Sequence, residues 1–459
     1  MELSSPPLSS RAQEQMRKGS ESPLFSALFK TFGNQWSEEN PDGVVNAGLA
    51  ENSLMHDFLY EFYERKYNLK IEHTDLTYGT SILGSSRIFN ALSRYYSRYF
   101  APHTPVDPAH IATSNGLSPM IEHLAAVISD AGDAWLLPGE YYNAFKQDLG
   151  ATSLVDIANV ELREGEHGEL AEVEAMEREM QRRKAEGLAS KITAVLVTNP
   201  HNPLGFCYKR ETLVHYAKFA ERWNLYLVVD EIYALSVFPS DSPDARPFTS
   251  ILSIDVLSEA HCNPSRIIQL YGMSKDFGSN GLRAGTLVCQ HNPLLLRGLA
   301  STAMTMRMGS PTDILWSALL NSDELPFYLE ENQKRLAKGY RYLAAWLKVQ
   351  GLPFRPANAG HFVLVDFREH AKKMAKKVGK AVGEEGMEGP TTEQEVALLD
   401  KFVDAGVYLG PGFSYAVPQP GFFRMTFSIR RKELSIGLAR IEKVCELPPK
   451  AVDFAKEMQ

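Results

Sequence analysis

Leu270-Tyr-Gly-Met-Ser-Lys-Asp-Phe-Gly-Ser-Asn-Gly-Leu-Arg283 is the stretch that decides how this chain is read. The apolar run from Ile267 to Tyr271 has strand character. Lys275 therefore stands just past a strand end, in a glycine-rich turn, with Arg283 eight residues further on. A lysine delivered in this way is held by its surroundings. It can form an imine with a carbonyl compound, and Arg283 offers a fixed cation for an anionic group on the same molecule. A plain polar turn between two strands is the alternative.

Two upstream segments bear on that choice. The β-branched run Ile192-Thr-Ala-Val-Leu-Val-Thr198 stops in Asn199-Pro-His-Asn-Pro-Leu-Gly205, which reads as a buried strand ending in a rigid turn. Asn202 then projects from the carboxyl end of that strand, where open α/β sheets keep their ligand sites, and can hydrogen-bond a phenolic oxygen. A second run, Leu225-Tyr-Leu-Val-Val229, ends in Asp230-Glu231-Ile232-Tyr233. An ionised Asp230 against a pyridine nitrogen keeps that nitrogen protonated and makes the ring an electron sink, as pyridoxal phosphate requires. Tyr233 is placed to share the phenolic oxygen with Asn202. Helix capping is the competing role for an aspartate at this position.

Asn202, Asp230, Tyr233, Lys275 and Arg283 together resemble the fold type I pyridoxal-phosphate enzymes, the class I/II aminotransferase superfamily. Within it the chain resembles the 1-aminocyclopropane-1-carboxylate (ACC) synthase branch and its fungal and animal relatives. The phrases that carry this are Asn40-Pro-Asp-Gly-Val-Val-Asn-Ala-Gly-Leu-Ala-Glu-Asn52, Tyr141-Tyr-Asn-Ala-Phe145, Asn199-Pro-His-Asn-Pro-Leu-Gly205, Ser274-Lys-Asp-Phe-Gly278 and Pro420-Gly-Phe-Phe-Arg424. They run from about residue 40 to about residue 430.

The resemblance implies an aspartate aminotransferase-like α/β fold, pyridoxal 5'-phosphate as cofactor, an amino-acid substrate and a homodimer with active sites at its interface. It implies catalytic roles for Lys275, Asp230 and Tyr233. Asn115-Gly-Leu-Ser-Pro119 follows the short strand His110 to Ser114 and opens a helix, so its N–H groups and the Ser118 hydroxyl are placed to receive phosphate. Leu117 and Ser118 match the family's phosphate pair, with Ser274 and Arg283 beside them. Tyr142 matches the aromatic that stacks on the cofactor ring, with Tyr141 as the alternative. Tyr78 matches a tyrosine that reaches the neighbouring subunit's phosphate. Arg424 matches the arginine that grips the substrate α-carboxylate bidentately. Ala50, Glu51 and Asn202 join it on the substrate side, Glu51 near the substrate's distal end.

Two positions depart from the family pattern. A phosphate-binding serine often stands three residues before the lysine, where this chain has Gly272, which shifts that contact to Ser274. Plant ACC synthases have Tyr-His-Gly-Leu-Pro where this chain reads Tyr78-Gly-Thr-Ser-Ile-Leu-Gly84. That difference points away from S-adenosylmethionine as the substrate.

Composition sets the frame. With 459 residues, 44% of them hydrophobic, the chain is long enough for two domains. The 48 basic and 56 acidic residues leave a net charge of -8, which argues against non-specific nucleic-acid binding. Cys207, Cys262, Cys289 and Cys445 form no paired motif, and the 12 histidines show no metal-ligand spacing, so reduced thiols and no metal are expected. No signal-like core and no run of about 18 apolar residues is present, which predicts a cytoplasmic protein without a membrane span.

The organisation expected is an N-terminal arm over 1–55, a large cofactor domain over 56–312 with a mainly parallel sheet flanked by helices, and a smaller α/β domain over 313–459 entered through a long helix from about Asp313. Residues 1 to about 20 read as a loose arm, and Ser22 to Lys30 as a helix able to pack on a partner subunit. The basic stretch Glu369 to Lys380 and acidic Glu384 to Gly389 read as an exposed helix and loop rather than an anion site.

Once Lys275 has taken the substrate's α-proton, three outcomes are open. A sulfonium at the γ-carbon allows ring closure to ACC. A thioether at the β-carbon allows carbon–sulfur elimination. Return of the proton to the cofactor gives an aminotransferase. ACC-synthase-like carbon–sulfur cleavage ranks first and transamination second. The competing class, a catalytically silent regulatory relative, has no need of Lys275, Asp230, Asn202, Tyr233, Arg283 and Arg424 together.

Overall fold

The computed structural model describes residues 8–66, 71–79, 81–243, 245–377 and 389–450. A two-residue strand β1 (Val45–Asn46) comes first. A seven-stranded sheet follows, built from β2 (Ile111–Ser114), β3 (Ala134–Pro138), β4 (Asp156–Val160), β5 (Ile192–Thr198), β6 (Tyr226–Asp230), β7 (Ile267–Gly272) and β8 (Gly285–Val288). The C-terminal part adds β9 (Phe362–Asp366), β10 (Val407–Tyr408), β11 (Gly410–Pro411) and β12 (Phe422–Thr426).

The large sheet has the order β2-β8-β7-β6-β5-β3-β4. All pairs are parallel except those of β8, which runs against both β7 and β2. Helices cover both faces, so the inner strands are apolar throughout and not alternating. Along β5, Val195 and Val197 enter one core with Leu136, Leu227 and Val229, while Ala194 and Leu196 enter the opposite core with Trp135, Val228 and Leu270. Parallel pairing also brings Thr198 level with Asp230, and Asp230 level with Leu270, at one carboxyl edge.

The C-terminal unit has its own core, in which the antiparallel set β11-β12-β9 packs with the helices Leu325–Gln350, Thr392–Asp404 and Arg431–Cys445. Ala27, Val44, Val45 and Ala47 from the N-terminal segment enter this core, and β1 pairs in parallel with β10. The stretch from Leu24 to Leu54 is thus built largely into the core of the C-terminal unit.

Two local expectations are corrected, and a third is met over the described residues. Ser10–Ser20, expected to be loose, is a helix with no buried residue, and residues 1–7 lie outside the described ones. The Ser9 side chain accepts from Ala12 N–H at 3.2 Å, and Arg17 bonds Glu14 and Glu21 along one face. The helix from about Asp313 is two helices, Ser310–Leu320 and Leu325–Gln350, the second carrying Pro326 in its first turn, where the missing N–H costs nothing. The basic helix is found at Arg368–Lys377, whereas residues 378–388 lie outside the described ones. Among the described residues, no helix is long and apolar enough to cross a membrane.

Candidate active site

An open cavity of about 990 Å³ lies at the carboxyl edge of the large sheet, against β12. Its lining includes Ala50, Glu51, Leu117, Ser118, Tyr142, Asn202, Asp230, Tyr233, Ser274, Lys275, Arg283 and Arg424. Every site residue expected from sequence is therefore brought into one cavity except Tyr78, which is 72% exposed, its carbonyl accepting from Arg307. Of the two neighbouring tyrosines, Tyr142 lines the cavity, while the Tyr141 N–H is tied to the Tyr415 carbonyl at 3.1 Å.

Lys275 is buried, with its Nζ donating to the Ala50 carbonyl at 2.8 Å. Burial and the Arg424 charge lower its pKa to about 8, against the opposing pull of Glu51 and Asp230. About a tenth of the amine is thus free near pH 7, far more than for an exposed lysine, as a nucleophile or base needs. Asp230, at the end of β6, is only 4% exposed, and burial pushes it up to about 7 while the Ile232 N–H, donating to Oδ1 at 3.1 Å, acts the other way. A buried carboxyl of this kind is stabilised as an anion by a cation placed against it. Burial likewise pushes the Tyr233 hydroxyl well above its ordinary range, so it stays a donor.

Arg424 lies on β12, 2% exposed, between the rings of Tyr415 and Phe362 at 4.5 and 4.6 Å. Its Nη1 donates to Asn202 Oδ1 at 2.8 Å and its Nη2 to the Gly48 carbonyl at 2.7 Å, while Nε has no hydrogen-bond partner. Because a guanidinium only donates, it fixes the Asn202 amide with its oxygen toward Arg424 and its NH₂ free for another acceptor.

At the other end, the helix Leu117–Ile128 starts on Gly116, whose φ of 123° lies outside the range side chains favour. A Cβ there would fall on the Arg283 guanidinium. The free N–H groups of this helix start, the Ser118 hydroxyl, Ser274 and Arg283 converge as an anion cradle. Gly272 has a steric cause: a Cβ there would lie 2.6 Å from the carbonyl of Ala284, the residue just before the paired strand β8. A serine cannot stand at that position without moving the backbone.

This donor set fits a flat, phosphate-bearing carbonyl cofactor, with a cradle for the phosphate, a carboxylate for a ring nitrogen, a hydroxyl and an amide for a phenolic oxygen, and a lysine for the imine. Residues 62–441 match the family described as aminotransferase class I and II. The chain belongs to this family. Its cofactor is pyridoxal 5'-phosphate, and the chain is a pyridoxal-phosphate-dependent enzyme. It is 32% identical over 410 residues to "Probable aminotransferase gliI" of Aspergillus fumigatus, covering 87% of this chain and 89% of that one. It is 30% identical over 433 residues to "1-aminocyclopropane-1-carboxylate synthase-like protein 1" of Bos taurus, covering 92% of this chain and 80% of that one. An aspartate aminotransferase of Thermus thermophilus superposes with a TM-score of 0.72 at 19% identity, covering 96% of this chain and 100% of that one, a likeness of fold.

Several lining residues escaped the sequence reading. Asn280 donates from Nδ2 to Glu51 Oε1 at 2.9 Å, and its carbonyl accepts from Arg283 Nη1 at 2.8 Å. Asn280 stands in the segment already singled out between Lys275 and Arg283, so its amide was the available signal. Tyr415, which stacks on Arg424 behind the lining, carried no signal.

Proposed function

We propose that this enzyme cleaves a carbon–sulfur bond in an amino-acid substrate. The observation that carries this reading is the charge of the cavity. Arg424 is the described cation left for substrate once Lys275 and Arg283 serve the cofactor, and the next charged group on offer is the carboxylate of Glu51, held by Asn280. A substrate gripped by its α-carboxylate thus meets a negative group further along. A thioether or sulfonium is compatible with that; a second carboxylate is repelled.

When bound, the cofactor draws electron density from the substrate α-carbon. Arg424 orients the substrate by its carboxylate, using the unpartnered Nε–H and a neighbouring Nη–H. Lys275 removes the α-proton. Asp230 holds the ring nitrogen protonated, and Asn202 and Tyr233 hold the phenolic oxygen. The electron pair left at the α-carbon forms a double bond to the β-carbon as the carbon–sulfur bond breaks, and the sulfur leaves as a thiolate. The altered stretch Tyr78 to Gly84 supports a substrate other than S-adenosylmethionine. We also read the enzyme as a homodimer, with the exposed Tyr78 acting on the neighbouring subunit's cofactor phosphate.

Transamination is the second reading, favoured by the name of the Aspergillus fumigatus relative, an aminotransferase. One panel separates them. Purified enzyme is given S-adenosylmethionine, cysteine conjugates, or common amino acids with 2-oxoglutarate, and assayed for ACC, for pyruvate with thiol, and for glutamate. Pyruvate with thiol is the expected product. Efficient glutamate formation without a sulfur product overturns the reading.

A further inference from the structure

The cradle end of the cavity contains a carboxyl group that the reaction above does not use. Asp148, on the short helix Phe145–Gly150, lines the cavity with Ser118 and Arg283 and is 9% exposed. Its Oδ2 is buried without a hydrogen-bond partner. Burial raises its pKa most, to about 6, with the Ser118 hydroxyl pulling down, the Glu122 charge pushing up and Arg283 pulling down. The Asp148 charge in turn acts on Asp230 at the end of β6 and on the Tyr142 hydroxyl. These are the groups that face it from the helix Leu117–Ile128, the turn before β8, the sheet edge and the segment after β3.

A carboxylate and a phosphate dianion that share one serine each raise the other's proton affinity, against the pull of Arg283. Like charges in one site force one partner to take up a proton. A phosphate monoester loses its second proton near about pH 6, so above that pH the carboxyl is the group able to yield. Once protonated, Asp148 turns from competitor to donor. Its Oδ2–H, which has no partner in the structure, is then free to donate, and the Ser118 hydroxyl no longer has to donate to a carboxylate.

We propose that Asp148 is a phosphate-binding residue of the cofactor site, which takes up one proton from solvent as the cofactor phosphate docks and keeps it while the phosphate stays. The inference rests on the placement of the phosphate at Ser118 and Arg283. The free group titrates below the bound one, so binding takes up a proton in the window between them. Affinity then falls by up to about tenfold per pH unit as pH rises above about 6.

The test uses the full cofactor-free chain and pyridoxamine 5'-phosphate, which carries the phosphate but has no aldehyde to bond Lys275. Calorimetry at pH 7.5 in two buffers of different ionisation enthalpy counts the protons taken up on binding. The wild-type chain is expected to take up about one proton more than Asp148→Asn, and Asp148→Asn to bind at least about tenfold tighter at that pH. Asp148→Ser, equally unable to titrate, must show the same missing proton. Equal uptake in wild type and both variants overturns the role of Asp148. Pyridoxamine, which lacks the phosphate, should bind the wild type and variants alike; a difference there assigns Asp148 to the ring and overturns the proposal. If the wild type holds pyridoxamine as tightly as its phosphate ester, the placement of the phosphate itself fails.

Discussion

Replacing Arg424 with lysine keeps the charge and removes the fork. In the native site Nη1 and Nη2 are committed to Asn202 at 2.8 Å and to the Gly48 carbonyl at 2.7 Å, and the Nε–H stands unpartnered beside the cavity. A lysine ammonium reaches one of these acceptors while holding at most one oxygen of a carboxylate. The substrate therefore loses one charge-assisted hydrogen bond, worth about 1.5–3 kcal/mol. That corresponds to a rise in substrate dissociation constant of roughly 10- to 150-fold. The rate of the bound complex should change much less, because the α-carbon, Lys275 and Asp230 are untouched. Titrating the cofactor's visible absorption with substrate gives the affinity, and single-turnover kinetics gives the rate. Loss of the Asn202 anchor also frees its amide to rotate, which should appear as a shift in the absorption of the substrate-free enzyme. Unchanged affinity in R424K, with a normal spectrum, refutes the assignment of Arg424 to the substrate carboxylate.

Three further outcomes follow from the same geometry. With its amine lowered to about pH 8, Lys275 in the cofactor-free chain should capture the cofactor aldehyde at a rate that rises about tenfold per pH unit up to that point and then levels off; a rate still rising at pH 10 contradicts the buried setting. Asp230→Asn should keep the cofactor but cut the rate of α-proton loss by about 10²-fold, a cost of ~2.7 kcal/mol, with substrate affinity little altered; an unchanged rate places the ring nitrogen elsewhere. Mixing inactive Tyr78→Ala and Lys275→Ala chains should restore part of the activity, since one hybrid site then has both native residues. No recovery despite proven subunit exchange removes Tyr78 from the neighbouring site.

How far the site can be read from sequence depends on which contacts are local. Asn202, Asp230 and Lys275 each follow a β-branched or apolar run that a parallel sheet must bury on both faces, and such a sheet gathers its carboxyl ends on one edge. Their convergence is thus a property of the fold, legible from the runs themselves. Gly272 and Gly116 can be seen as departures or turns in sequence, but the reasons they are glycine lie in the Ala284 carbonyl and the Arg283 guanidinium, which need coordinates. Asn280 acts through Glu51, 229 positions away. Asp148 stands in a six-residue helix whose exposure no periodicity decides. The pairing of Val45–Asn46 with Val407–Tyr408 spans most of the chain through two residues, too short a strand to register as a pattern. That is why the N-terminal segment reads as an arm while the fold builds it into the C-terminal unit.

The same segment explains how substrate grip and lysine placement come to depend on each other. Ala47 accepts from Thr426 N–H at 2.8 Å and Leu49 from the Thr426 hydroxyl at 3.0 Å, which ties the segment to β12. Gly48 holds Arg424, Ala50 holds Lys275, and Glu51 is held by Asn280. Asn52 then donates to Asn332 Oδ1 at 2.8 Å, anchoring the strap on the long helix Leu325–Gln350. Six consecutive residues thus connect the strand that carries Arg424, the Lys275 amine and the long helix Leu325–Gln350. The carbonyl that holds Arg424 and the carbonyl that holds the Lys275 amine thus stand two residues apart on one strap.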